Sequence, residues 1–439
     1  MRSPRRHFLF GSLAALAAGS TARQSVAASD KVVLGFMGVG GRGRALLQGF
    51  GKRPDVAVAY LADVDSRHLP ELASEAARLN GRTPQTVQDV RRVLDDKAVD
   101  ALVIATPDHW HALGTVWACQ AGKDVYVEKP TSHSIWESRQ MVRAARKFDR
   151  VVQVGTQCRS APYVQQAIDY IQSGQLGEVH YVRVLNSKPR SSIGKRPDGP
   201  VPGGVDYDRW LGPAPARQFN ENHFHYAWHW FWNYSGGDII NDGVHQLDLA
   251  RWVIDRAYPK SVYSTGGIHF FKDEQETPDT QVVNWDYDGL TMVFEQTQWT
   301  PYQQKTPMNL RDRDELPRWP FNGTRIEIFG TKRWMMLGRH GDGWEVFDGD
   351  FRSVAHQYGR QANEPHFANF LDCIRNRKRP NADVEQVHLS TLLCHYGNIA
   401  YRVGRKLVID PATEGFVDDA QANALVKRTY REPYAVPEI

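Results

Sequence analysis

Residues 32–44 have the sequence VVLGFMGVGGRGR, and this stretch decides the fold class. The apolar run Val32 to Met37 predicts a buried strand, and Gly38, Gly40 and Gly43 follow it in the pattern G-x-G-x-x-G before a helical segment. Glycine at these places permits a tight turn, close approach of the backbone to a pyrophosphate and close packing of the helix. The N–H groups at the helix start can then bind the phosphates, so the stretch predicts a dinucleotide-binding domain.

Asp63 ends the next apolar run, Val56 to Ala62, and lies 20 residues after Gly43. A carboxylate at this place accepts hydrogen bonds from ribose hydroxyls and repels a 2′-phosphate. The spacing therefore favours NAD over NADP, although Arg42 and Arg67 are near enough in sequence to leave NADP open.

Apolar runs continue to alternate with helical segments further along the chain. Ala101 to Thr106 follows a charged helical segment, and Val125 to Val127 follows a helical stretch around Gly114 to Gln120. This alternation predicts βαβ units and a doubly wound parallel sheet, which is a Rossmann domain, over residues 31–150.

From Val151 onward the pattern changes to strands with hairpin-like separations. It predicts a second α/β domain over residues 151–410, with a mostly antiparallel sheet and a tail at 411–439. A Pro/Gly-rich passage from Pro189 to Pro215 is too irregular for a core element. The predicted strands are Val179–Leu185, Val262–Phe271, Thr280–Asp286, Thr291–Thr297, Arg325–Phe329 and Arg333–Leu337, and helices are predicted at Glu364–Arg377 and Val384–Arg402.

Residues 1–28 have the basic, apolar and small-residue order of an export signal. The apolar part, Phe8 to Ala18, is too short to cross a bilayer core of about 30 Å as a stable helix. The pair Arg5-Arg6 has the twin-arginine form that is typical of proteins exported already folded. We therefore expect a periplasmic protein, with an ordinary export signal or an uncleaved amphipathic start as alternatives.

The net charge of the chain depends on this segment. The full sequence has 54 basic and 50 acidic residues, a formal charge of +4, and cleavage after Ala28 removes four arginines and no acid. The remaining chain is formally neutral, so no nucleic-acid partner and no membrane contact are expected after signal removal. Neutrality favours substrates that are uncharged or recognised locally.

Three further motifs occur in a fixed order. Residues 106–111 are TPDHWH, residues 128–130 are EKP, and residues 236–248 contain GGD followed by DGVH and a further Asp. Together they resemble the Gfo/Idh/MocA family of sugar oxidoreductases over nearly the whole mature chain. Within it the chain is similar to twin-arginine-exported members related to glucose-fructose oxidoreductase and the NAD-dependent glycoside hydrolases. The resemblance implies a Rossmann domain followed by an α/β domain whose large open sheet often serves oligomerisation, and hence a homo-oligomer.

The resemblance also implies roles for two residues. Lys129 lies beside the nicotinamide and the substrate in such enzymes, and His245 is the acid/base. The chemistry of these residue types agrees, because oxidation of an alcohol needs a group that takes the hydroxyl proton, and the ordinary pKa of histidine is about 6.5. Lys129 can donate to the same oxygen, and burial would lower its pKa. The alternative is that Lys129 only pairs with a carboxylate such as Glu128 and that His245 caps a core helix.

The acidic partner of His245 is open. Family members commonly have Asp four residues before this histidine, whereas this chain has Asn241 there and Asp242 three residues before it. Either Asp242 reaches the site from the same helix face or Asn241 binds a substrate hydroxyl, and Asp248 could orient the ring instead. We take Lys129, His245 and Asp242 as the candidate catalytic residues.

The segment His223 to Tyr234 holds seven aromatic residues and three histidines in twelve positions. Alternate aromatics from Phe224 onward would share one side of an extended segment and could contact sugar rings. The alternative is an aromatic core or a subunit interface. His223, His225 and His229 could hold a metal in principle, but we predict none because no partner carboxylate is indicated.

The candidate contacts divide into two sets. Predicted substrate contacts are Arg159, Trp230, Asn241, Asp242 and His245. Predicted cofactor contacts are Gly38, Gly40, Gly41, Arg42, Gly43, Asp63, Thr106, Pro107, His111, Glu128, Lys129 and Gln157.

Outside the cytoplasm, an exported enzyme of this kind finds no pool of nicotinamide cofactor with which to exchange its own. We therefore expect a tightly bound NAD, with NADP possible, that is restored within the same site. The predicted function is an oxidoreductase that moves hydride between a ring hydroxyl of a small carbohydrate or glycoside and this cofactor. A redox-neutral glycoside hydrolase that acts through a keto-sugar is the alternative, and a non-catalytic sugar-binding protein is the third possibility.

Overall fold

The computed structural model describes residues 31–439, so the predicted export signal lies outside the described residues. The N-terminal domain is built on a six-stranded sheet in which every neighbouring pair is parallel. Its strands are β1 (Val32–Met37), β2 (Val56–Ala62), β3 (Gln85–Val87), β4 (Ala101–Ile104), β5 (Asp124–Val127) and β6 (Val152–Val154). The helices between them are α1 (Gly41–Gly51), α2 (Leu69–Asn80), α3 (Arg91–Asp95), α4 (His111–Gln120) and α5 (Ile135–Lys147).

The strand order β3-β2-β1-β4-β5-β6 is that of a doubly wound Rossmann sheet, which confirms the predicted fold class. β4 and β5 are buried along their whole length because helices cover both faces of the sheet. The sheet continues through Val154, beyond the boundary predicted at residue 150, because β6 pairs with β5.

The second domain contains a ten-stranded sheet. Its strands are β7 (Val179–Ser187), β8 (Ser261–Gly267), β9 (Thr280–Tyr287), β10 (Leu290–Thr297), β11 (Arg325–Gly330), β12 (Trp334–Gly338), β13 (Trp344–Phe347), β14 (Ser353–Gln357), β15 (Leu407–Asp410) and β16 (Gly415–Phe416). The order is β14-β13-β12-β11-β7-β10-β9-β8-β15-β16, and only β7 and β10 pair in parallel. The mostly antiparallel sheet predicted from the sequence is confirmed.

The remaining helices follow β6 along the chain. They are α6 (Pro162–Gln172), α7 (Tyr207–Leu211), α8 (Val244–Ile254), α9 (Asn363–Asn376), α10 (Val384–Val403) and α11 (Ala420–Asn423), and a five-residue π-helical turn, Ile239–Gly243, precedes α8. Of these, α6, α8 and α10 cover one face of the ten-stranded sheet. Apolar residues of α6, α8 and α10, such as Val164, Leu247 and Leu393, share a core with Trp285 and Phe294 of the sheet. Along residues 31–439, none of the helices combines the length and apolar character needed to cross a bilayer.

The C-terminal part of the chain returns to the N-terminal domain. Phe367 of α9 packs against Phe50 of α1, with ring centroids 4.5 Å apart, and Val436 is buried in the core on the opposite side of the sheet. Arg428 forms an ion pair of 2.8 Å with the buried carboxylate of Glu137. The tail at 411–439 is therefore fixed to the domain that residues 31–150 begin.

A buried ion pair joins the start of α6 to α8. Arg159 donates from Nε and Nη2 to Asp248 at 2.8–3.0 Å, and their side chains are 3% and 1% exposed. Ser390 on α10 donates to the same carboxylate at 2.6 Å, and the guanidinium lies over Trp252. Two expectations are therefore wrong, because Arg159 has its donors on Asp248 and does not reach a ligand, and Asp248 does not orient His245.

This pair allows a test of its structural role. Asp248→Asn leaves a buried guanidinium without a counter-charge, so we expect the free energy of unfolding to fall by about 3–5 kcal/mol. The double variant Arg159→Met/Asp248→Leu should recover most of that loss because it removes both charges. Urea denaturation followed by tryptophan fluorescence measures both, with Arg352→Gln of the exposed pair with Asp350 as control. If Asp248→Asn leaves the stability unchanged but raises KM, Arg159 would instead be assigned to the substrate site.

Candidate active site

A cleft of about 920 Å³ lies at the carboxyl ends of β1, β2, β4 and β5, where parallel sheets place their ligands. Residues of the second domain, from the π-helical turn, α8 and the aromatic segment, form its other side. The predicted contacts that line it are Gly38, Gly40, Gly41, Arg42, Asp63, Thr106, Pro107, Glu128, Lys129, Gln157, Asn241, Asp242 and His245.

The glycine loop is shaped for a ligand that approaches its backbone. Gly38 has φ +82°, and a Cβ there would lie 2.8 Å from the carbonyl oxygen of Ala105. A Cβ on Gly43 would lie 2.1 Å from the carbonyl oxygen of Gly38, so this glycine serves the close packing of α1 and lies behind the cleft. A Cβ on Gly40 would meet no protein atom within 4 Å, and this open side is where a pyrophosphate fits against the start of α1.

Two carboxylates hold this loop in place. Asp63 accepts from the backbone N–H groups of Val39, at 2.8 Å, and Asp65, at 2.9 Å, and burial raises the pKa of Asp63. Glu128 at the end of β5 accepts from Nε of Arg42 at 2.7 Å. Asp63 and Glu128 thus link the glycine loop to the neighbouring strands and also face the cleft.

His111 does not contact the cleft. Its Nδ1 lies 2.7 Å from the carbonyl oxygen of Pro130 and its Nε2 lies 3.0 Å from that of Thr106, and the residue is buried. The prediction that it binds the cofactor is therefore wrong, because both ring nitrogens face carbonyl groups that follow β4 and β5. The histidine instead connects the TPDHWH and EKP motifs.

Lys129 reaches across the cleft to the second domain. Its Nζ donates to the backbone oxygen and to Oδ1 of Asn241 in the π-helical turn, the latter at 3.1 Å. Burial lowers the pKa of Lys129, although Glu128 and Asp108 oppose this shift. Glu128 itself is engaged by Arg42, so Lys129 is not merely the partner of the preceding carboxylate.

His245 lies one turn further on, at the start of α8, and faces the same cleft. Among the described residues, no group forms a hydrogen bond with its ring. Burial lowers the pKa of His245 well below its usual range, and the charges of Arg339 and Lys129 lower it further. The imidazole is therefore neutral near pH 7 and able to accept a proton.

Asp242 is bound by cations and does not pair with His245. Its Oδ2 lies 2.9 Å from Nζ of Lys188 and 2.6 Å from Nζ of Lys305, and Arg339 donates to Oδ1. Burial opposes ionisation, but these cations hold the pKa of Asp242 well below its usual range. A carboxylate held anionic in this way is a poor proton acceptor, so the geometry favours an anchoring role for Asp242 over the catalytic role predicted from the sequence.

The aromatic segment is not extended, which corrects the prediction of one aromatic side. Residues Ala227–Trp230 form a 3₁₀ turn, and Phe224, Trp228, Trp230 and Tyr234 are buried in a small core with Trp210. Tyr226 and Trp228 line the cleft, whereas Trp230 is turned away from it and has Arg190 over its ring. Trp230 is therefore not in a position to contact the substrate.

Other cleft residues were absent from the sequence-based assignment. Asp108 lies within the quoted TPDHWH motif, accepts a hydrogen bond from Oγ of Ser235, and has its pKa raised to about 7 by burial. Arg339 follows β12 in a turn, and no local pattern marks it. His225 and His229 also line the cleft, although the sequence suggested sugar contacts only for the aromatic residues of this segment.

The three histidines of that segment do not converge. His223 packs on Phe231, and Nδ1 of His229 lies 2.5 Å from the carbonyl oxygen of Tyr226. His225 instead meets Asp65 and His68, whose ligand atoms lie within 4.8 Å of one another. Arg67 already donates to both carboxylate oxygens of Asp65, and the absence of a metal stays a prediction.

Three family models match consecutive parts of the chain. Residues 32–156 match the oxidoreductase family with an NAD-binding Rossmann fold, residues 164–336 match the GFO/IDH/MocA C-terminal domain, and residues 330–436 match the oxidoreductase family's C-terminal alpha/beta domain. The matches therefore extend over both sheets and the cleft between them.

Individual relatives agree with these models. The scyllo-inositol 2-dehydrogenase (NAD(+)) of Bacillus subtilis is 25% identical over 307 residues, which cover 67% of this chain and 72% of that protein. A glycosyl hydrolase family 109 protein of Stenotrophomonas maltophilia is 36% identical over 132 residues, 28% of this chain and 29% of its own length. The structure of levoglucosan dehydrogenase in complex with NADH superposes with a TM-score of 0.66 at 19% identity and covers 87% of this chain and 99% of that one. The chain belongs to the Gfo/Idh/MocA family of NAD-dependent oxidoreductases.

Proposed function

We propose that the protein transfers hydride between a ring hydroxyl of a carbohydrate and a tightly held NAD, so that the hydroxyl is oxidised to a carbonyl and a carbonyl is reduced in the reverse step. The observation that carries this proposal is the convergence of Lys129 and His245 beside the glycine loop in one cleft. The relatives named for inositol and levoglucosan support a polyhydroxylated ring as the substrate.

Lys129 and His245 can together bind the hydroxyl oxygen of a substrate and accept its proton. When bound, the nicotinamide ring accepts a hydride from carbon and can return it. Neutral His245 takes the hydroxyl proton on a ring nitrogen, and Lys129 donates an N–H to the same oxygen. Asn241 fixes the ammonium group of Lys129, and the rings of Tyr226 and Trp228 line the same cleft.

Several contacts favour NAD and its retention. Asp63 faces the cleft at the end of β2, where a 2′-phosphate would be repelled. The Pro/Gly-rich passage closes against the same region, since Gly204 accepts from the N–H of Ser66 at 2.9 Å and Asp206 donates its N–H to Val64 at 2.8 Å. The second domain thus covers one end of the cleft, which supports slow release of the cofactor.

Export by the twin-arginine route is part of the proposal. It rests on Arg5-Arg6 and on the apolar stretch that follows, both outside the described residues. A protein exported in its folded state can carry NAD with it, so retention of the cofactor and the export signal support one another.

Substitution of the two candidate catalytic residues tests the site. Lys129→Ala and His245→Ala should each lower kcat about 10²- to 10⁴-fold, because each removes a group that binds or moves the hydroxyl proton. NAD should remain bound, as judged by the nucleotide released on denaturation. Lys332→Ala and His180→Ala, both exposed on the second domain, are matched controls. Near-normal turnover in both active-site variants with NAD bound would overturn the assignment.

The glycosidase relative makes a redox-neutral glycoside hydrolase the second candidate. Such an enzyme would oxidise a ring hydroxyl to a carbonyl with transfer of hydride to NAD, and would then remove the proton from the adjacent carbon with loss of the aglycone from the carbon after it. Water would add to the resulting double bond, and the carbonyl would be reduced again by the same NADH. This cycle exchanges the proton on the carbon beside the oxidised one with solvent and releases the aglycone. Simple hydride transfer between sugars releases no aglycone.

One experiment distinguishes the oxidoreductase from the glycoside hydrolase and tests whether the protein retains its NAD. The purified protein is denatured to identify its nucleotide, and the native protein is incubated with glycosides in heavy water. We expect NAD rather than NADP, and an oxidised sugar without aglycone release. Free aglycone with deuterium at the adjacent carbon and no net NADH would favour the hydrolase. A preparation without nucleotide would contradict the retained cofactor.

We further propose that the outer face of the ten-stranded sheet joins two copies of the chain. Tyr181, Phe329, Trp334 and Phe347 form a half-buried row across β7, β11, β12 and β13, with ring centroids 4.7–5.7 Å apart. A partly exposed aromatic row of this kind is typical of an interaction surface.

Trp334→Glu places a charge in the middle of this row. We expect the wild-type protein to be an oligomer and the variant to shift to the monomer, because an unpaired charge in an apolar interface is costly. Size-exclusion chromatography with light scattering measures both masses. Phe351→Glu, at a residue that is 80% exposed, should leave the mass unchanged. A monomeric wild type would show that this face is not an interface.

A further inference from the structure

Positive charge accumulates around Asp242, which lines the cleft together with His245 and Arg339. Four cations, Lys188, Arg190, Lys305 and Arg339, surround only two carboxylates, Asp238 and Asp242. Lys129 adds a fifth positive group on the opposite side. This local excess contrasts with the chain as a whole, whose residues after Ala28 are formally neutral.

The inner part of this cluster is internally compensated. Asp238 accepts from Lys188 at 2.7 Å and Arg190 at 2.6 Å, and the side-chain amides of Asn186 and Asn241 each approach it at 3.2 Å. Its pKa lies below the usual range, with burial opposed by the two cations. Asp238, Lys188 and Arg190 therefore form a closed arrangement with little capacity for a ligand.

The outer part has unused capacity. Arg339 lines the cleft, and within residues 31–439 its guanidinium donates only to Asp242. Lys305 bonds to the same carboxylate and keeps 32% of its side chain exposed. Two cations thus share one carboxylate that Lys188 also contacts, and their remaining N–H groups have no acceptor among the described residues.

The excess of positive charge also affects the pKa values of neighbouring groups. Burial, together with the charges of Arg339 and Lys188, lowers the pKa of Lys305 to about 8 against the opposing charge of Asp242. Burial together with Arg339 also lowers the pKa of His340 well below its usual range. Positive charges held close together repel one another, and a bound anion relieves this repulsion.

We propose that the substrate is an anionic carbohydrate whose acid group, a carboxylate or a phosphate, binds to Arg339 and Lys305. The inference rests on the proposed function and narrows its substrate class. A guanidinium presents paired N–H donors that match two oxygens of a carboxylate or a phosphate, and an ammonium supplies a further charged donor. Arg339 and His245 both line the cleft, and the charge of Arg339 acts on the His245 ring, so a sugar held by its acid group at Arg339 can present a hydroxyl to His245.

The anion would also act on the proton acceptor. Arg339 and Lys129 both lower the pKa of His245, so partial neutralisation of Arg339 raises that pKa toward its ordinary value. A base with a higher pKa accepts the hydroxyl proton more readily. The substrate's own charge would therefore improve the base that removes its proton.

Matched pairs of ligands test the proposal on the full-length protein with NAD bound. The probes are hexuronates, their uncharged hexuronamides, the parent hexoses and their 6-phosphates, and dissociation constants are measured by calorimetry. At least one acid should bind about tenfold more tightly than its neutral counterpart, as expected for a charged hydrogen bond. The uronates and the phosphates reveal which of the two acid groups is preferred.

Variants locate the effect. Arg339→Gln and Lys305→Gln should each reduce the preference for the acid to within about threefold, whereas Arg352→Gln on the exposed surface should preserve it. Asp242 keeps two lysine partners when Arg339 is replaced, and retained NAD shows that the variant is folded. If a variant does not fold, added salt provides the test in the wild type, because it should weaken binding of the acid and spare the amide.

The outcomes separate this inference from the proposed function. If no acid in the panel binds more tightly than its amide, the anion site is wrong, even if neutral sugars reduce the bound NAD. If acids bind through Arg339 but no sugar reduces NAD, the anion site stands and the proposed redox function fails. An acid preference that survives both substitutions would also overturn the assignment.

Discussion

The bond from Lys129 to Asn241 is the contact on which the active site depends. It joins the end of β5 in the Rossmann sheet to the π-helical turn that precedes α8 in the second domain. Lys129 thereby stays beside the glycine loop while His245, at the start of α8, faces the same cleft. Other contacts also join the two domains, but this one sets the position of the Lys129 ammonium group relative to the turn that leads into His245. π-helical turns within helices often occur at functional sites, and this one presents Asn241 and Asp242 to two different sets of partners.

The electrostatics of the cleft follow from the same arrangement. Burial disfavours charge on Lys129 and His245, and the surrounding cations act in the same direction on the histidine. Asp108 contributes little compensation, because burial raises its pKa to about 7. The site therefore favours a neutral base and an easily released lysine proton, and its remaining positive potential suits an anionic partner.

Local patterns in the sequence predicted the parts of the site that depend on local geometry. The glycine loop, Asp63 and the EKP motif lie where strand ends of a parallel sheet must place them, so their positions followed from the strand–helix alternation. The prediction for the aromatic segment was wrong because Trp228 and Trp230 pack in a shared core with Trp210 and other aromatics that are distant in sequence. This packing overrides the alternation of aromatic residues along the segment. Arg159 was assigned to the substrate and Arg339 was not assigned at all, because the sequence does not show that Arg159 meets Asp248 and that Arg339 meets Asp242.

The cleft also constrains the proposed export of the protein with its cofactor bound. Its lining begins at Met37 in the first strand and includes Tyr434, whose ring packs against Trp110 after β4. Arg431, close to Tyr434, donates to Asp208 of α7 and so ties the tail to the second domain. Residues from both domains and the tail must therefore be assembled before the walls of the cleft exist. A chain that crossed the membrane unfolded would lose any bound nucleotide, so the proposed retention of NAD is compatible only with the export in the folded state that we propose from Arg5-Arg6.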